Sequence, residues 1–242
     1  MSYEYIIKHL DRTEHNLKYK YGKTFKPTEI TYHQTYNKAT ATNERNYLNT
    51  RTDKVYVGFH LVVDDKMAIE CLPLNIQTWH SGDGANGAGN TKSIAVEIAY
   101  STHLDLNLRN KAIENGAKLI AKIMKDYNIP MSKVKSHQAR SGKLCPHDII
   151  NRYGEDKFRK LILTEFNKLS DKIDKNETNK PTMVKITYLT LNIRKEASFT
   201  APVVGTVKKG EVFTIVEQKN GLGKLKSGAG WISLNTKYVK FI

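Results

Sequence analysis

A polar segment at residues 170–182 is the feature that most limits how this chain can fold. It reads Ser-Asp-Lys-Ile-Asp-Lys-Asn-Glu-Thr-Asn-Lys-Pro-Thr, with one aliphatic residue. Such a segment cannot bury enough apolar surface to offset the entropy lost on ordering it. We therefore expect a solvated linker at residues 171–182, between one domain at residues 1–170 and a second at residues 183–242.

The first of these domains mixes two hydrophobic periods. Runs rich in β-formers alternate with helical periods, and they lie at Glu29–Thr35, Val55–Val63, Ser93–Tyr100, Leu108–Asn128 and Glu155–Ile173. In the two helices apolar residues recur at i, i+3 and i+4, which is typical of a face packed on a sheet. The pattern predicts an α/β domain, in which helices flank a mixed central β-sheet.

The second domain has no helical period. Its short β-rich runs, among them Lys185–Leu189, Val212–Val216 and Gly230–Ser233, are interrupted by Gly, Pro, Asn and Lys. Interruptions about every 8–12 residues are typical of a small all-β barrel or sandwich. We expect one such barrel at residues 183–242.

Charge indicates the class of partner. The chain has 39 basic and 24 acidic residues, a net charge of +15, and residues 183–242 hold 10 of the basic and 3 of the acidic ones. A positive electrostatic field attracts polyanions. Because the second domain has the higher density of positive charge, we expect a polyanion to bind there. Because no helix or sheet motif combines clustered arginines with stacked aromatics, we expect no nucleic acid partner.

Cysteine usage and hydropathy exclude two further classes. Cys71 and Cys145 are the two cysteines in the sequence, too few for a disulfide framework. The longest strongly apolar run, Tyr56–Val63, is far shorter than the roughly 20 residues that span a bilayer. The first residues lack the pattern of a secretory signal. We expect synthesis in the cytoplasm without a signal peptide, and no insertion into a membrane.

The segment at residues 136–147 carries the clearest chemistry. It places His137, Lys143 and Cys145 close together along the chain, with Gly142 and Pro146 as turn residues. Histidine and cysteine are preferred zinc ligands, and a catalytic zinc has three protein ligands and an open position. The third ligand must come from elsewhere.

The best candidate for that third ligand is His33. It lies in the predicted strand at residues 29–34, where period 2 sends Ile30 and Tyr32 to one face and Thr31 and His33 to the other. A structural role for a lone histidine at a strand end is the alternative interpretation.

A second polar group lies on the apolar strand at residues 93–100. Because Ile94, Val96 and Ile98 share one face, Glu97 projects from the other. A carboxylate on a central strand is costly unless it has a partner or a chemical role. A salt bridge to one of the many lysines is the alternative.

Residues 82–90 hold four glycines in a segment without the ending of a phosphate loop, which disfavours nucleotide binding. We expect a flexible loop at the rim of a cleft. Trp79 and His80, just before it, are predicted to stack on a sugar or line that cleft, with simple packing of the Trp79 ring as the alternative.

Five segments follow one another along the first domain, namely Tyr32–Asn37, Phe59–Asp65, Trp79–Gly84, Ser93–Ile98 and His137–Pro146. Together they resemble the zinc N-acetylmuramoyl-L-alanine amidases, the family of phage lysozyme-type amidases and animal peptidoglycan recognition proteins. The nearest resemblance is to phage and prophage endolysins of Gram-positive spore formers, and it covers roughly residues 1–170.

This resemblance implies a role for each candidate residue. His33, His137 and Cys145 would hold one zinc ion, Glu97 would act as general base, and Lys143 would stabilise the developing oxyanion. Some members have a catalytic tyrosine before the strand histidine, where this chain has Phe59, so chemistry assigned to that tyrosine would fall to Glu97 or be absent. His60, the strand histidine, would belong to the substrate pocket, with a structural role as the alternative.

The second domain contains the runs Leu191–Arg194, Gly205–Glu211 and Gly230–Ile232, followed by Tyr238–Val239. Together these runs resemble the bacterial SH3-like cell-wall domains. The resemblance implies wall anchoring, with Trp231 and Tyr238 as predicted ligand-facing aromatics alongside Tyr188 and Phe199. A place in the core is the alternative, since a small barrel has few large apolar groups.

The function implied is a peptidoglycan hydrolase, an endolysin or autolysin that cleaves the amide between N-acetylmuramic acid and L-alanine. Its partners would be peptidoglycan and an anionic wall polymer, and it would act as a monomer after release by a holin or by lysis. The alternatives are a zinc peptidase that cuts stem or cross-link peptides, a non-catalytic peptidoglycan sensor, and a thiol hydrolase with Cys145 as nucleophile and His137 as base.

Overall fold

The computed structural model describes residues 3–178 and 181–242, without the side chains of residues 170–178. The chain divides into two compact units, Met1–Leu169 and Ser170–Ile242. Within the linker predicted at residues 171–182, the backbone of residues 171–178 continues a helix, and residues 179 and 180 lie outside the described residues. The predicted domain boundary stays a prediction. Among the described helices, none is both long and apolar enough to cross a membrane.

The first unit is built on a six-stranded sheet. Its strands are β1 (Glu4–Ile7), β2 (Glu29–Gln34), β3 (Leu61–Val63), β4 (Met67–Glu70), β5 (Ser93–Ile98) and β6 (Val134–Ser136). Their order across the sheet is β1-β4-β3-β5-β2-β6. The β3–β4 pair is antiparallel and the other neighbours are parallel, so the sheet is mixed as predicted.

Six α-helices accompany this sheet. They are α1 (Glu14–Tyr19), α2 (Ala41–Thr50), α3 (Ala88–Lys92), α4 (Leu106–Asp126), α5 (His137–Ser141) and α6 (Glu155–Thr178). A hydroxyl or carboxylate caps the start of α1, α2, α4 and α5 by accepting a backbone N–H, at Thr13, Thr40, Asp105 and Ser136. These caps fix the helix starts independently of the tertiary packing.

The two faces of the sheet bury separate apolar clusters. On one face Ile30, Tyr32 and Val96 join residues of α4 and α6, and the Tyr32 and Phe158 rings meet edge-on at 5.3 Å. On the other face Val62 and Ala95 pack with Leu48 of α2. The alternation expected for β2 and β5 is therefore confirmed, and His33 and Glu97 share the face that α2 covers.

The run predicted as a strand at Val55–Val63 is strand only from Leu61. Val55 and Tyr56 are about half exposed, and the Gly58 N–H donates to the carbonyl of Trp79 at 2.9 Å instead of to a neighbouring strand. Apolar content alone did not reveal that this segment pairs with a loop.

The second unit is one antiparallel sheet of seven strands in the order β13-β7-β10-β11-β12-β8-β9. Its strands are β7 (Thr182–Ile186), β8 (Thr190–Arg194), β9 (Val203–Lys208), β10 (Val212–Lys219), β11 (Leu222–Leu225), β12 (Trp231–Ser233) and β13 (Val239–Phe241). Residues such as Val184, Ile215 and Ile232 form its buried core. The all-β prediction for this part of the chain is confirmed.

Candidate active site

Three donor side chains from distant parts of the chain meet at one end of β2. His33 is near the end of β2, His137 begins α5, and Cys145 follows the turn after α5. Nδ1 of His33 lies 2.9 Å from Nδ1 of His137 and 4.0 Å from Sγ of Cys145. Tetrahedral zinc places nitrogen and sulfur ligands about 3.3–3.6 Å apart, given Zn–N and Zn–S bonds of about 2.0–2.3 Å. The cluster has the dimensions of a three-ligand zinc site.

The protonation chemistry of the three donors also fits a cation. Burial holds the pKa of His33 well below its ordinary value, with His80 and His137 adding to the effect, and burial lowers the pKa of His137 to about 4. Both imidazoles are therefore neutral and keep a lone pair. Burial raises the pKa of Cys145 to about 12, so a thiolate there needs a neighbouring positive charge. Two neutral imidazoles and one cysteine, which binds as the thiolate, are a set that zinc accepts.

A turn after α5 brings Cys145 back to the histidines. Gly142 closes the helix with φ +79°, a left-handed conformation that side chains disfavour. The N–H of Gln138 then donates to the carbonyl of Cys145 at 2.8 Å, which ties the turn to the helix. The spacing of Cys145 from His137 is thus the length of one short helix and a glycine turn.

His80 and Ser81 contact the two histidines of the candidate metal site. Nδ1 of His80 lies 3.0 Å from Nε2 of His33, and the ring of His137 is hydrogen-bonded to the backbone of Ser81. The second nitrogen of His33 is thus held by His80, and the ring of His137 has a backbone partner in Ser81; contacts of this kind fix ring orientation. The sequence predicts that His80 stacks on substrate or lines the cleft, whereas in the structure it contacts His33 and is not among the residues that line the cavity described below.

The glycine-rich segment is an ordered support for these two residues. Asn90 Oδ1 accepts the N–H groups of His80 and Ser81 at 2.8 and 3.1 Å, and Asp83 Oδ2 accepts the N–H of Gly89 at 2.7 Å. A Cβ at Gly89 would come within 2.2 Å of the Ser81 hydroxyl, so the close approach requires glycine. This network differs from the flexible rim loop that the composition suggested.

Glu97 faces the same region from the neighbouring strand. It is the register partner of His33 between β5 and β2, so both side chains leave the sheet on one face. Within the described residues its Oε2 is buried without a hydrogen-bond partner. Burial, with a smaller contribution from Glu44 and against the opposing charge of Lys143, raises the pKa of Glu97 to about 8. The salt bridge considered as an alternative is not among the described contacts.

A cavity of about 300 Å3 opens beside the cluster and is lined by Glu97, Lys143 and Cys145. Its walls also include residues that the sequence analysis did not single out: Gln34, Tyr36, Asn37, Glu44, Tyr47, Arg51 and His147. Three of these, Glu44, Tyr47 and Arg51, belong to α2 or follow it directly, and local sequence gave no sign that α2 forms a wall of the site. Phe59 lines the cavity as well.

Two predicted substrate-binding residues lie elsewhere. His60 is fully buried, with Nε2 2.8 Å from the carbonyl of Ile76 and Nδ1 accepting the N–H of Ala95 at 2.9 Å. These contacts give it a structural role and argue against contact with substrate. Trp79 packs edge-on against Tyr56 at 4.8 Å and is not among the residues that line the cavity.

A buried ion pair braces α5 on the sheet. Arg140 donates to Glu29 at 2.6 Å and to the hydroxyl of Thr31 at 3.1 Å, and Lys133 donates to Glu29 at 3.2 Å. Glu29 and Thr31 are on β2, the strand of His33, while Arg140 is on the helix of His137. The ion pair thus links the elements that carry two of the three donors.

In the second unit the two predicted wall-binding aromatics are largely internal. Trp231 is 8% exposed, and Tyr238 packs on the core and meets the Tyr188 ring edge-on at 5.2 Å. Tyr188 and Phe199 are each more than half exposed. The assignment of Trp231 and Tyr238 stays a prediction that their burial does not favour.

Comparison with known families covers both units. The family described as N-acetylmuramoyl-L-alanine amidase matches residues 23–148, and the family described as bacterial SH3 domain matches residues 190–240. The first match contains His33, Glu97 and His137 with Lys143 and Cys145. The second lies within the all-β unit.

Individual relatives match the first unit. The chain is 44% identical over 154 residues to the N-acetylmuramoyl-L-alanine amidase CwlA of a Bacillus species, covering 64% of this chain and 60% of that protein. It is 38% identical over 167 residues to CwlA of Bacillus subtilis strain 168, covering 67% and 60%. The chain thus spans about 60% of the length of these relatives.

A solved structure of PlyL superposes with a TM-score of 0.60 at 38% identity, covering 67% of this chain and 97% of PlyL. The catalytic domain of PlyG gives a TM-score of 0.61, also at 38% identity, covering 67% and 95%. These likenesses agree with the α/β fold, and the family match extends over more than half of the sequence. The chain belongs to the N-acetylmuramoyl-L-alanine amidase family, and a bacterial SH3 domain follows its amidase domain.

Proposed function

We propose that this protein is a zinc-dependent peptidoglycan hydrolase that cleaves the amide between the lactyl group of N-acetylmuramic acid and L-alanine of the stem peptide. The observation that carries the proposal is the convergence of His33, His137 and Cys145 beside a cavity lined by Glu97 and Lys143. Two relatives that are 44% and 38% identical to this chain bear the name of this activity.

The three donors would hold one zinc ion. When bound, zinc polarises a carbonyl oxygen and makes water acidic enough to react near neutral pH. The neutral imidazoles of His33 and His137 and the thiolate of Cys145 supply one negative charge, which leaves a net positive site for an oxyanion. His80 and Ser81 keep both imidazole rings in the ligating orientation.

Glu97 would carry the proton. Its Oε2 has no competing hydrogen-bond partner among the described residues, and its pKa of about 8 suits a group that gains and loses a proton near neutrality. It would take a proton from the attacking water and deliver it to the leaving amine nitrogen of L-alanine. General acid–base catalysis of this kind contributes about 10²–10⁴-fold to rate.

Lys143 would stabilise the oxyanion. Its side chain lines the cavity, and its charge opposes the rise in the pKa of Glu97. A lost oxyanion donor typically lowers kcat about 10²–10³-fold. Phe59 offers no hydroxyl in the cavity, so the proton transfers assigned to a tyrosine in some family members would fall to Glu97.

The thiol-hydrolase alternative loses support from Cys145 itself. A cysteine nucleophile reacts as the thiolate, whereas burial raises the pKa of this thiol to about 12. The zinc peptidase alternative shares the metal chemistry and differs only in the bond cleaved. Release to the wall by a holin or by lysis, and a monomeric state, stay predictions from the sequence.

The test is mass spectrometry of purified Gram-positive cell wall after digestion with the full chain. New N-terminal L-alanine on free stem peptides, with the glycan intact, is the expected result. New peptide termini inside the stem or cross-link would identify a peptidase and overturn the proposal, as would new reducing ends of the glycan.

Two matched variants assign the carboxylate. Glu97→Gln should lower kcat about 10²–10⁴-fold and keep zinc, while Glu114→Gln on the solvent side of α4 should match the wild type. Equal activity of Glu97→Gln and the wild type would remove Glu97 from the mechanism.

A further inference from the structure

The SH3 domain has one face whose charge the proposed hydrolysis does not explain. In β7, β10, β11 and β13 alternate residues point to the core side of the sheet and are buried, namely Val184, Ile186, Ile215, Leu225 and Val239. The residues between them therefore point outward. We call the outward side of these strands the lysine face, and define it by Lys185, Lys226 and Lys240 with Met183 and Val212.

The strand register brings these residues together. Lys240 of β13 is the direct partner of Lys185 in β7, and Lys185 is the direct partner of Val212 in β10. In the next row Met183 is the partner of Thr214, whose carbonyl accepts the N–H of Lys226 at 2.9 Å. All three lysines, with Met183 and Val212, are exposed.

Direct pairing of two lysines costs stability. Partners across an antiparallel pair have Cβ atoms about 4.5–5.5 Å apart, and like charges at that separation repel. Within the described part of the chain no carboxylate lies within 4.0 Å of Lys185, Lys226 or Lys240 to offset the repulsion. An arrangement that lowers stability at an exposed face indicates a use for the charge.

The acidic residues of the domain are committed elsewhere. Residues 183–242 contain three, Glu196, Glu211 and Glu217. Glu211 follows the turn next to β7, but its Oε2 accepts the backbone N–H of Lys208 at 2.6 Å. Glu217 faces Lys224 at 3.6 Å, and Glu196 lies in the loop after β8. The lysine face is thus free to bind an anion.

We propose that the lysine face binds a wall polymer that carries repeated phosphodiester groups. The ammonium groups of Lys185 and Lys240 would bind one phosphate together, and Lys226 would bind the next phosphate along the polymer. Lysine binds phosphate as a compact point charge, without the fixed bidentate geometry that arginine uses for carboxylate and phosphate alike. This inference deepens the proposed function, because it names the wall component that the second domain holds.

The same face gives less support to other polyanions. Single-stranded nucleic acids are bound through aromatic side chains on which bases stack, and the lysine face has none. The two aromatics predicted to contact the wall are not part of this face. Trp231 is buried, and Tyr238 packs against the core of the domain. A polymer held by charge alone should instead show strong salt dependence.

The test is binding of the full chain to soluble, fluorescently labelled poly(glycerol phosphate), followed by anisotropy at several salt concentrations. Lys185→Gln/Lys240→Gln should bind about 25-fold more weakly, at about five-fold for each lysine near an anionic surface. The slope of log affinity against log salt should fall by about one for each lysine removed. Lys195→Gln/Lys219→Gln, with the same change in net charge, should bind like the wild type within two-fold.

Stability and a charge-preserving variant separate binding from folding. Relief of the lysine pair should leave the melting temperature of Lys185→Gln/Lys240→Gln unchanged or higher. Lys185→Arg/Lys240→Arg should keep most of the affinity. A fall in affinity that both the glutamine and the arginine variants share would point to altered folding and would overturn the proposal.

Three other outcomes would also overturn it. These are no binding by the wild type, equal weakening in the Lys195→Gln/Lys219→Gln control, and binding of anionic phospholipid vesicles through the same lysines with equal or higher affinity. Hydrolysis of a soluble muropeptide is measured in parallel and should be the same in all variants. A failure of the amidase assay would therefore not affect the binding result, and a failure to bind the polymer would not affect the amidase result.

Discussion

Asn90 is the residue whose replacement best tests how the site is held together. It binds no metal and does not line the cavity, yet its Oδ1 accepts the N–H groups of His80 and Ser81, and His80 in turn contacts His33. Asn90→Ala leaves both donors without their acceptor. Each unsatisfied buried N–H costs about 1–3 kcal/mol, so the free energy of unfolding should fall by about 2–6 kcal/mol.

The same change should weaken zinc binding. Without Asn90 the His80–Ser81 segment no longer fixes the imidazoles of His33 and His137, and loss of such support typically lowers metal affinity 10–100-fold. Competition with a chromophoric chelator measures that affinity on the folded protein at 10 °C. Activity at saturating zinc should return toward the wild-type value, because all three donors are still present.

Asn16→Ala is the matched control. Asn16 is 1% exposed and accepts from Lys20 at 2.6 Å while donating to the carbonyl of Asp11 at 2.9 Å, so its loss also destabilises a buried network. Its zinc affinity should equal that of the wild type. The reasoning is refuted if Asn90→Ala keeps wild-type zinc affinity, or if the two variants lose affinity equally.

Three further outcomes follow from contacts described above. Arg140→Met should lower the free energy of unfolding in urea by about 3–5 kcal/mol, because it leaves the Glu29 carboxylate buried without its arginine; a loss below 1 kcal/mol would contradict this. Burial lowers the pKa of His60 from 6.5 to about 4, so its neutral form stabilises the fold above pH 6.5, and that stability is lost as pH falls toward 4. Denaturation between pH 7 and 4 should show that the difference in free energy of unfolding between the wild type and His60→Gln shrinks by about 3 kcal/mol. A difference that does not change with pH would exclude the link between protonation of His60 and stability. Chelation of zinc should lower the melting temperature reversibly, since zinc at 1,000 times its Kd adds about 4 kcal/mol, and the shift should be absent in Cys145→Ser.

The local sequence was enough to predict which residues lie on each face of the central strands. Period 2 placed His33 and Glu97 on the face opposite Ile30 and Val96, and the structure has them there as register partners. The helical periods of α4 and α6 likewise predicted their packing on the sheet. These features depend on residues within one element, so the pattern of one element reveals them.

Features that join distant segments could not be predicted in this way. The support of His33 by His80, and of His80 by Asn90, depends on a tertiary approach that no spacing encodes. The wall that α2 gives the cavity, through Tyr47 and Arg51, has the same origin. His60 shows the converse, since a histidine beside a predicted site satisfied both its nitrogens with backbone groups and became structural.

The separation of the three donors along the chain also determines the stage of synthesis at which a complete metal site can form. His33 and Cys145 are 112 positions apart. At about 5–20 residues per second a ribosome needs roughly 6–22 s to add that stretch, and only then can the third donor leave the exit tunnel. If the three donors hold zinc as proposed, its capture would be a late event in biogenesis. Nascent chains arrested at increasing lengths should retain zinc against a chelator only after Cys145 has emerged, and earlier retention would show that two donors suffice.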